Sequence, residues 1–226
     1  MSRQSVLVWD LPTRVFHWLL ALCFIGAYAL AEQDDWRLVH ATLGFTFGAL
    51  ILFRAVWGLV GSRHARFSSF HYGPSAVWSY LRGLARGEPQ HYTGHNPAGS
   101  WAIYALLALG LGTALSGYAH LHELGGEFVG ELHEVLGNAT LALAVIHVLG
   151  VIVSSALHRE NLARGMITGH KLGEPGEAIE RPHPLLGAAL LAAVLAFWVN
   201  ALGIRDAVLG SAQQFAERAA EKSEHH

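Results

Sequence analysis

Five long apolar stretches, separated by polar segments, dominate the chain. They run from Val15 to Ala31, Leu38 to Val60, Ser100 to Ala119, Glu131 to Leu157 and Pro184 to Ile204. An α-helix rises about 1.5 Å per residue and needs about 20 residues to cross a bilayer, so only the first stretch is slightly short. Because lipid offers the backbone no hydrogen-bond partners, we predict that all five stretches are transmembrane helices.

The first stretch allows a second interpretation. It ends in Ala29-Leu30-Ala31, which resembles a signal-peptidase site behind a hydrophobic region. The apolar run is longer than the usual hydrophobic region of a signal peptide, so we favour an uncleaved helix.

The composition supports a membrane protein. Hydrophobic residues make up 52% of the 226 residues and charged residues only 14%, whereas an ordinary soluble domain has about 25% charged residues. We therefore expect membrane lipid as the surroundings of the chain, and no nucleic-acid partner.

The charged residues predict an orientation. One side of the predicted helices is rich in basic residues: Arg3, Arg14, Arg63, Arg66, Arg82, Arg86, Arg159, Arg164, Lys171 and Arg181. The other side has fewer basic residues and carries Glu32, Asp34, Asp35, Glu123 and Glu127. The positive-inside rule then predicts a cytoplasmic N-terminus and a C-terminus outside the cytoplasm.

The predicted spans divide the chain into two parts. Residues 1–182 hold the first four predicted helices and a long cytoplasmic loop, 61–99, in which we predict a short interfacial helix from about Ser75 to Arg86. Residues 183–226 hold the fifth helix and a polar tail, in which Asp206 to Lys222 is predicted to form a short amphipathic helix. The terminal His225 and His226 resemble the remnant of a purification tag and are set aside.

Four histidines lie within the predicted spans: His17, His40, His133 and His147. Ionisable residues inside a membrane are costly and indicate function. His133 and His147 are separated by about 21 Å along a helix and by nearly four turns, so they share one face near opposite surfaces. His17 lies at the cytoplasmic start of the first helix, and His40 at the outer start of the second.

These positions define two depths, each with two imidazoles from different helices. His17 and His147 lie at the inner depth, and His40 and His133 at the outer depth. Two imidazoles at one depth can clamp a heme iron and fill both axial positions, which favours electron transfer over oxygen binding. Zinc, the main alternative, would gather its ligands at one point. We therefore predict two non-covalent b-type hemes, and the lack of a Cys-x-x-Cys-His segment excludes a covalent c-type heme.

Four more residues fit this prediction. Gly44 and Gly137 each follow one of the histidines by one helical turn, so both leave room for a porphyrin on the histidine's face. Arg54 shares the face of His40 at the inner depth, where it either pairs with a heme propionate or extends to the inner headgroups. Arg159 ends the fourth helix, where it complements the helix dipole or reaches an inner propionate.

Other histidines carry weaker signals. His120 and His122, in the outer loop, suggest a proton or quinone site beside the outer heme. His64 and His71, in the inner loop, suggest contacts to propionates or to a quinone. A solvated loop histidine is the expected alternative in all four cases. His95 lies in a Pro/Gly turn and is expected to make a cap or loop hydrogen bond.

Several segments resemble one known family. They are Val8 to Arg14 with His17-Trp18, Phe53 to Gly58 with Gly61 to Phe67, Gly94 to Gly99, Glu131 to Glu134, and Arg159 to Leu162 with Met166 to Gly169. In combination they resemble the bacterial-type cytochrome b561 and nickel-hydrogenase b-subunit superfamily, over nearly all of residues 6–172. The resemblance implies an all-α integral membrane helical bundle, whose four-helix core binds two hemes b through the four histidines, with a fifth transmembrane helix beyond it.

The resemblance also implies exchange with the quinone pool and with a redox partner. We predict an electron-transfer protein that connects quinone with a periplasmic partner such as a c-type cytochrome. A superoxide:quinone oxidoreductase and the membrane b-type subunit of a hydrogenase-like complex are the alternatives. The acidic outer loops slightly disfavour the attraction of superoxide.

Overall fold

Five long helices occupy the five predicted spans. The computed structural model describes residues 4–88 and 90–204, so the amphipathic helix predicted for Asp206 to Lys222 lies outside the described residues, as do His225 and His226. The long helices are α1 (Leu11–Ala29), α2 (Arg37–Val60), α4 (Pro97–Leu121), α5 (Gly126–His158) and α7 (Pro184–Ala201). Each is long and apolar enough to cross a membrane. The predicted helical membrane bundle is therefore confirmed.

Two shorter helices lie between the spans. The first, α3 (Pro74–Ala85), is the helix predicted within the 61–99 loop. The second, α6 (Leu162–Thr168), follows α5 and was not predicted. It packs against α5 and α1, and Trp18 on α1 donates from Nε1 to the carbonyl oxygen of Met166 at 3.0 Å.

Three spans begin several residues earlier than the apolar runs predict, and polar side chains cap two of them, α1 and α4. Asp10 caps α1, because its Oδ1 accepts a hydrogen bond from the backbone N–H of Thr13 at 2.8 Å. Asn96 caps α4 in the same way, with its Oδ1 2.7 Å from the backbone nitrogen of Gly99. Helix α5 begins at Gly126 rather than at the predicted Glu131.

Four of the spans form a ring. Helix α1 packs against α2, α2 against α4, and α4 against α5. A hydrogen bond from the hydroxyl of Tyr28 on α1 to Oδ1 of Asn138 on α5, at 2.7 Å, links the first and last members. Helix α7 lies outside the ring and packs mainly on α1. This arrangement has the four-plus-one form that the sequence predicts.

The apolar core lies where α1, α2 and α7 meet. Cys23, Phe47, Leu50 and Val194 are buried together there. Gly187 lets α7 approach α1 closely, since a Cβ at that position would lie 2.6 Å from Cγ of Leu11. The fifth helix is thus held by packing against the core.

A two-stranded ribbon departs from the all-α expectation. Strand β1 (Gln4–Leu7) pairs antiparallel with β2 (His170–Gly173), with Leu7 opposite His170. Gly169 precedes β2 with φ 85°, and a Cβ there would lie 2.8 Å from the carbonyl oxygen of Trp9, so only glycine fits this turn. We call the end of the bundle that carries this ribbon the ribbon side.

The hydrogen bonds of Asp10 lead to a prediction about the stability of the ribbon side. It is fully buried and also accepts a hydrogen bond from Nε1 of Trp57 at 3.1 Å. Asp10→Ala removes the cap and leaves this indole N–H unpaired, so we expect a loss of about 2 to 4 kcal/mol in the free energy of unfolding. Thermal unfolding in detergent, followed by circular dichroism, measures the change. Asp10→Asn keeps an acceptor oxygen, and an equal loss in both variants would contradict this role.

Candidate heme sites

The outer pair of histidines meets inside the bundle. His40 on α2 and His133 on α5 have ring centroids 6.2 Å apart, with ring planes at 85°. An imidazole nitrogen lies about 1 Å from the ring centre and about 2 Å from a bound metal ion, so two axial imidazoles on one metal have centroids about 6 Å apart. The observed separation matches the one that a shared iron requires.

Backbone carbonyls orient both rings. Nδ1 of His40 lies 2.9 Å from the carbonyl oxygen of Ala27 on α1, and Nδ1 of His133 lies 2.9 Å from that of Thr113 on α4. A carbonyl oxygen only accepts, so each Nδ1 carries the proton and each Nε2 keeps its lone pair for a metal. Gly117 makes room for the second ring, since a Cβ there would lie 2.8 Å from Cε1 of His133.

The inner pair lies towards the ribbon side. His17 on α1 and His147 on α5 are close enough to interact electrostatically. Both are partly buried, and Nδ1 of His17 is buried without a hydrogen-bond partner among the described residues. The structure therefore brings together the two histidines of each predicted pair.

The two predicted glycines differ from glycines at helix contacts. A Cβ added at Gly44 or at Gly137 would meet nothing within 4 Å, whereas one at Gly110 would lie 2.8 Å from Cδ1 of Ile51. Gly110 permits close packing of α4 on α2, but Gly44 and Gly137 border open space one turn from His40 and His133. That space and the paired imidazoles fit a flat macrocycle.

The predicted cations occupy different environments. Arg54 is only 3% exposed, and its guanidinium carbon lies 4.7 Å from the centre of the Phe67 ring. It is covered by the 61–99 loop and does not extend to the headgroups. Arg159 is exposed at the left-handed C-cap of α5, a position that fits the predicted complement to the helix dipole.

The weaker candidates divide in two. His71, His120 and His122 are exposed, and α4 extends far enough to include His120 in its last turn. The expectation that His64 is solvated is wrong. It is 8% exposed, and its Nε2 lies 2.7 Å from the carbonyl oxygen of Glu177. Burial lowers the pKa of His64 below its ordinary value.

His95 makes the predicted loop hydrogen bond through its backbone, because its carbonyl oxygen accepts from the hydroxyl of Tyr72 at 3.3 Å. Asn96 caps α4, and the His95 ring packs between Trp9 and Phe70, with centroid distances of 4.6 Å and 4.3 Å. Sequence reasoning also missed Asp10, although an aspartate two residues before Pro12 is a recognisable helix-start signal. No comparable local signal marks His95.

Fold and site together define a class: a multi-pass helical membrane protein with two pairs of imidazoles inside its bundle. Residues 8–169 match the model of the prokaryotic cytochrome b561 family, and the chain belongs to that family. It is therefore a b-type cytochrome, a class that carries heme b. The paired imidazoles and the open faces of the two glycines fit that group.

Curated relatives agree with this assignment. Proteins named probable Ni/Fe-hydrogenase B-type cytochrome subunits are 24% identical in Rhodobacter capsulatus, over 75% of this chain and 82% of the relative, and 25% identical in Rhizobium leguminosarum bv. viciae, over 76% and 91%. The corresponding Escherichia coli K12 protein, a probable Ni/Fe-hydrogenase 1 B-type cytochrome subunit, is 28% identical over 51% of this chain and 60% of its own length. No solved structure matches the chain.

The open face of Gly137 leads to a prediction. Gly137→Leu places a side chain where the outer heme would lie against α5. Such overpacking costs about 1 to 3 kcal/mol, so we expect weaker heme binding with little change in the helical content of the protein. Heme content per protein, from the pyridine hemochrome spectrum, measures the effect. Gly73→Leu, which also adds a side chain in open space, is the control, and equal heme loss in both variants would contradict the prediction.

Proposed function

We propose that this protein is a two-heme cytochrome b that carries electrons across the inner membrane between the quinone pool and a periplasmic redox partner. The 6.2 Å approach of His40 to His133 carries the proposal. The second pair, His17 and His147, supports a second heme on the ribbon side. The separation of His133 and His147 on α5 would set the two irons about 20 Å apart.

The heme, when bound, supplies the one-electron chemistry. The four histidines would hold the heme irons, and the carbonyl oxygens of Ala27 and Thr113 keep the outer pair in the tautomer that can bind a metal. These hydrogen bonds also raise the basicity of the ligating nitrogens. Around them, the apolar helices exclude water, which helps to set the potential of the iron.

The relatives favour one partner over the others. Their names describe B-type cytochrome subunits of Ni/Fe-hydrogenases, which supports a hydrogenase-like complex on the periplasmic side. This chain would then be the membrane subunit that delivers electrons to quinone. The basic residues near the ribbon side support a cytoplasmic location for that side, and hence for the N-terminus.

The histidine pairing is testable by single substitutions. His40→Ala and His133→Ala should each remove the same heme, and His17→Ala and His147→Ala should each remove the other, because a bis-histidine heme loses an axial ligand in each variant. Reduced-minus-oxidised spectra and redox titration of the α-band follow the two components. His71→Ala, at an exposed histidine, should keep both. Loss of one and the same heme in His40→Ala and His17→Ala would show that the pairing is wrong.

The partner is testable in native membranes. Hydrogen gas should reduce both hemes there, and added quinone should reoxidise them, whereas the isolated cytochrome should not respond to hydrogen. The α-band absorbance records both steps. If a c-type cytochrome or superoxide reduces the hemes and hydrogen does not, that donor is the partner and the hydrogenase-like complex is not.

A further inference from the structure

Two buried polar atoms near the inner histidine pair lack a hydrogen-bond partner among the described residues. They are Nη1 of Arg54 and Nδ1 of His95. Arg54 comes from the last part of α2, and His95 from the turn that precedes α4. Unpaired buried polar atoms are rare in folded proteins. Two such atoms from separate elements indicate a common partner outside the polypeptide.

Aromatic rings hold both side chains in place. The Phe70 ring centre lies 4.3 Å from that of His95 and 5.9 Å from the guanidinium carbon of Arg54. Trp9 covers another face of His95 at 4.6 Å, and Phe67 lies 4.7 Å from the guanidinium. Arg54 is buried and His95 half-buried, and the shared contact with Phe70 makes the two side chains neighbours.

The surroundings of His95 favour an anion. It interacts electrostatically with Arg54, Lys171, His64 and His147, all of which are cations or imidazoles. Burial, together with these neighbours, keeps the pKa of His95 well below its ordinary value, so the ring is neutral and offers one N–H. A neutral donor beside a guanidinium suits a carboxylate.

The carboxylate that interacts with Arg54 already has hydrogen-bond donors. Asp10 interacts with Arg54, but its oxygens accept hydrogen bonds from the backbone of Thr13 and from the indole of Trp57. His95 is near enough to His147 to interact with it electrostatically, and the shared contact with Phe70 places Arg54 next to His95. A heme held there carries carboxylates of the required kind on its edge.

We propose that Arg54 and His95 together bind one propionate of the inner heme. Arg54 supplies the charge, and His95 supplies a neutral hydrogen bond from a fixed position between Trp9 and Phe70. This inference rests on the proposed function, because it requires a heme between His17 and His147. It makes His95 a positioning residue for the cofactor rather than a helix cap.

The test uses the full-length protein in detergent, with both hemes counted before any comparison. The variants are Arg54→Gln, His95→Leu and His95→Gln, with His71→Leu as the control for an exposed histidine of the same loop. Transfer of heme to apomyoglobin gives the rate of loss of each heme. Resonance Raman spectra report the bending vibration of the propionates, which a general loosening of the fold would not shift at one heme alone.

We expect Arg54→Gln and His95→Leu each to speed the loss of the inner heme by about tenfold, to shift its propionate band, and to leave the outer heme unchanged. His95→Gln keeps an N–H donor and should release the inner heme more slowly than His95→Leu. The double variant Arg54→Gln/His95→Leu should speed the loss of the inner heme by less than the product of the two single effects, because both groups hold the same carboxylate.

Two results would overturn the inference. One is an unchanged propionate band in His95→Leu, and the other is a similar acceleration of heme loss at both hemes. If His95→Leu does not fold, Arg54→Gln and His95→Gln decide the question by the Raman band alone, and an unchanged band in both variants overturns the inference. A wild-type protein with a single heme would instead contradict the proposed function, so the two failures are distinguishable.

Discussion

The rest of this bundle depends on one constraint, the close approach of the His40 ring on α2 to the His133 ring on α5. His40 and His133 come from α2 and α5, and their rings can lie 6.2 Å apart only if both helices turn one face inwards at one depth. The direct contacts of α5 run mainly to α4. The ring of helices therefore surrounds an interior lined by imidazoles and by the open faces of Gly44 and Gly137.

Helix α4 controls how α5 presents its histidine. Its Thr113 carbonyl fixes the Nδ1 proton of His133, and Gly117 lets the ring lie flat against the helix. The same carbonyl oxygen accepts a hydrogen bond from the hydroxyl of Ser116 at 3.0 Å, so His133 and Ser116 share this acceptor. The bundle thus orients His133 through a backbone carbonyl rather than through a charged side chain.

The ribbon side is built differently from the rest. There the 61–99 loop, the β1–β2 ribbon and the segment before α7 cover the ends of the helices and bury Asp10, Arg54 and His64. Buried charges are tolerated only with partners. Asp10 has them in Thr13 and Trp57, whereas Nη1 of Arg54 and Nδ1 of His95 are buried without a hydrogen-bond partner among the described residues. These two unpaired atoms set this region apart from ordinary packing.

The sequence by itself determined the number of spans, because hydropathy is a local property of the chain, and the family resemblance of its motifs implied the four-plus-one arrangement. Helical periodicity predicted the pairing of the four histidines on two hemes, which stays a prediction. It also pointed to Gly44 and Gly137, since one helical turn relates each of them to a histidine. Only the tertiary structure decided that Arg54 lies under Phe67 rather than at the headgroups, that His64 is buried, and that His95 packs between Trp9 and Phe70. Only the tertiary structure also decided that β1 pairs with β2, because these two strands lie far apart in the sequence. These contacts join residues far apart in sequence, and their energies depend on which surfaces meet, so no local pattern encodes them.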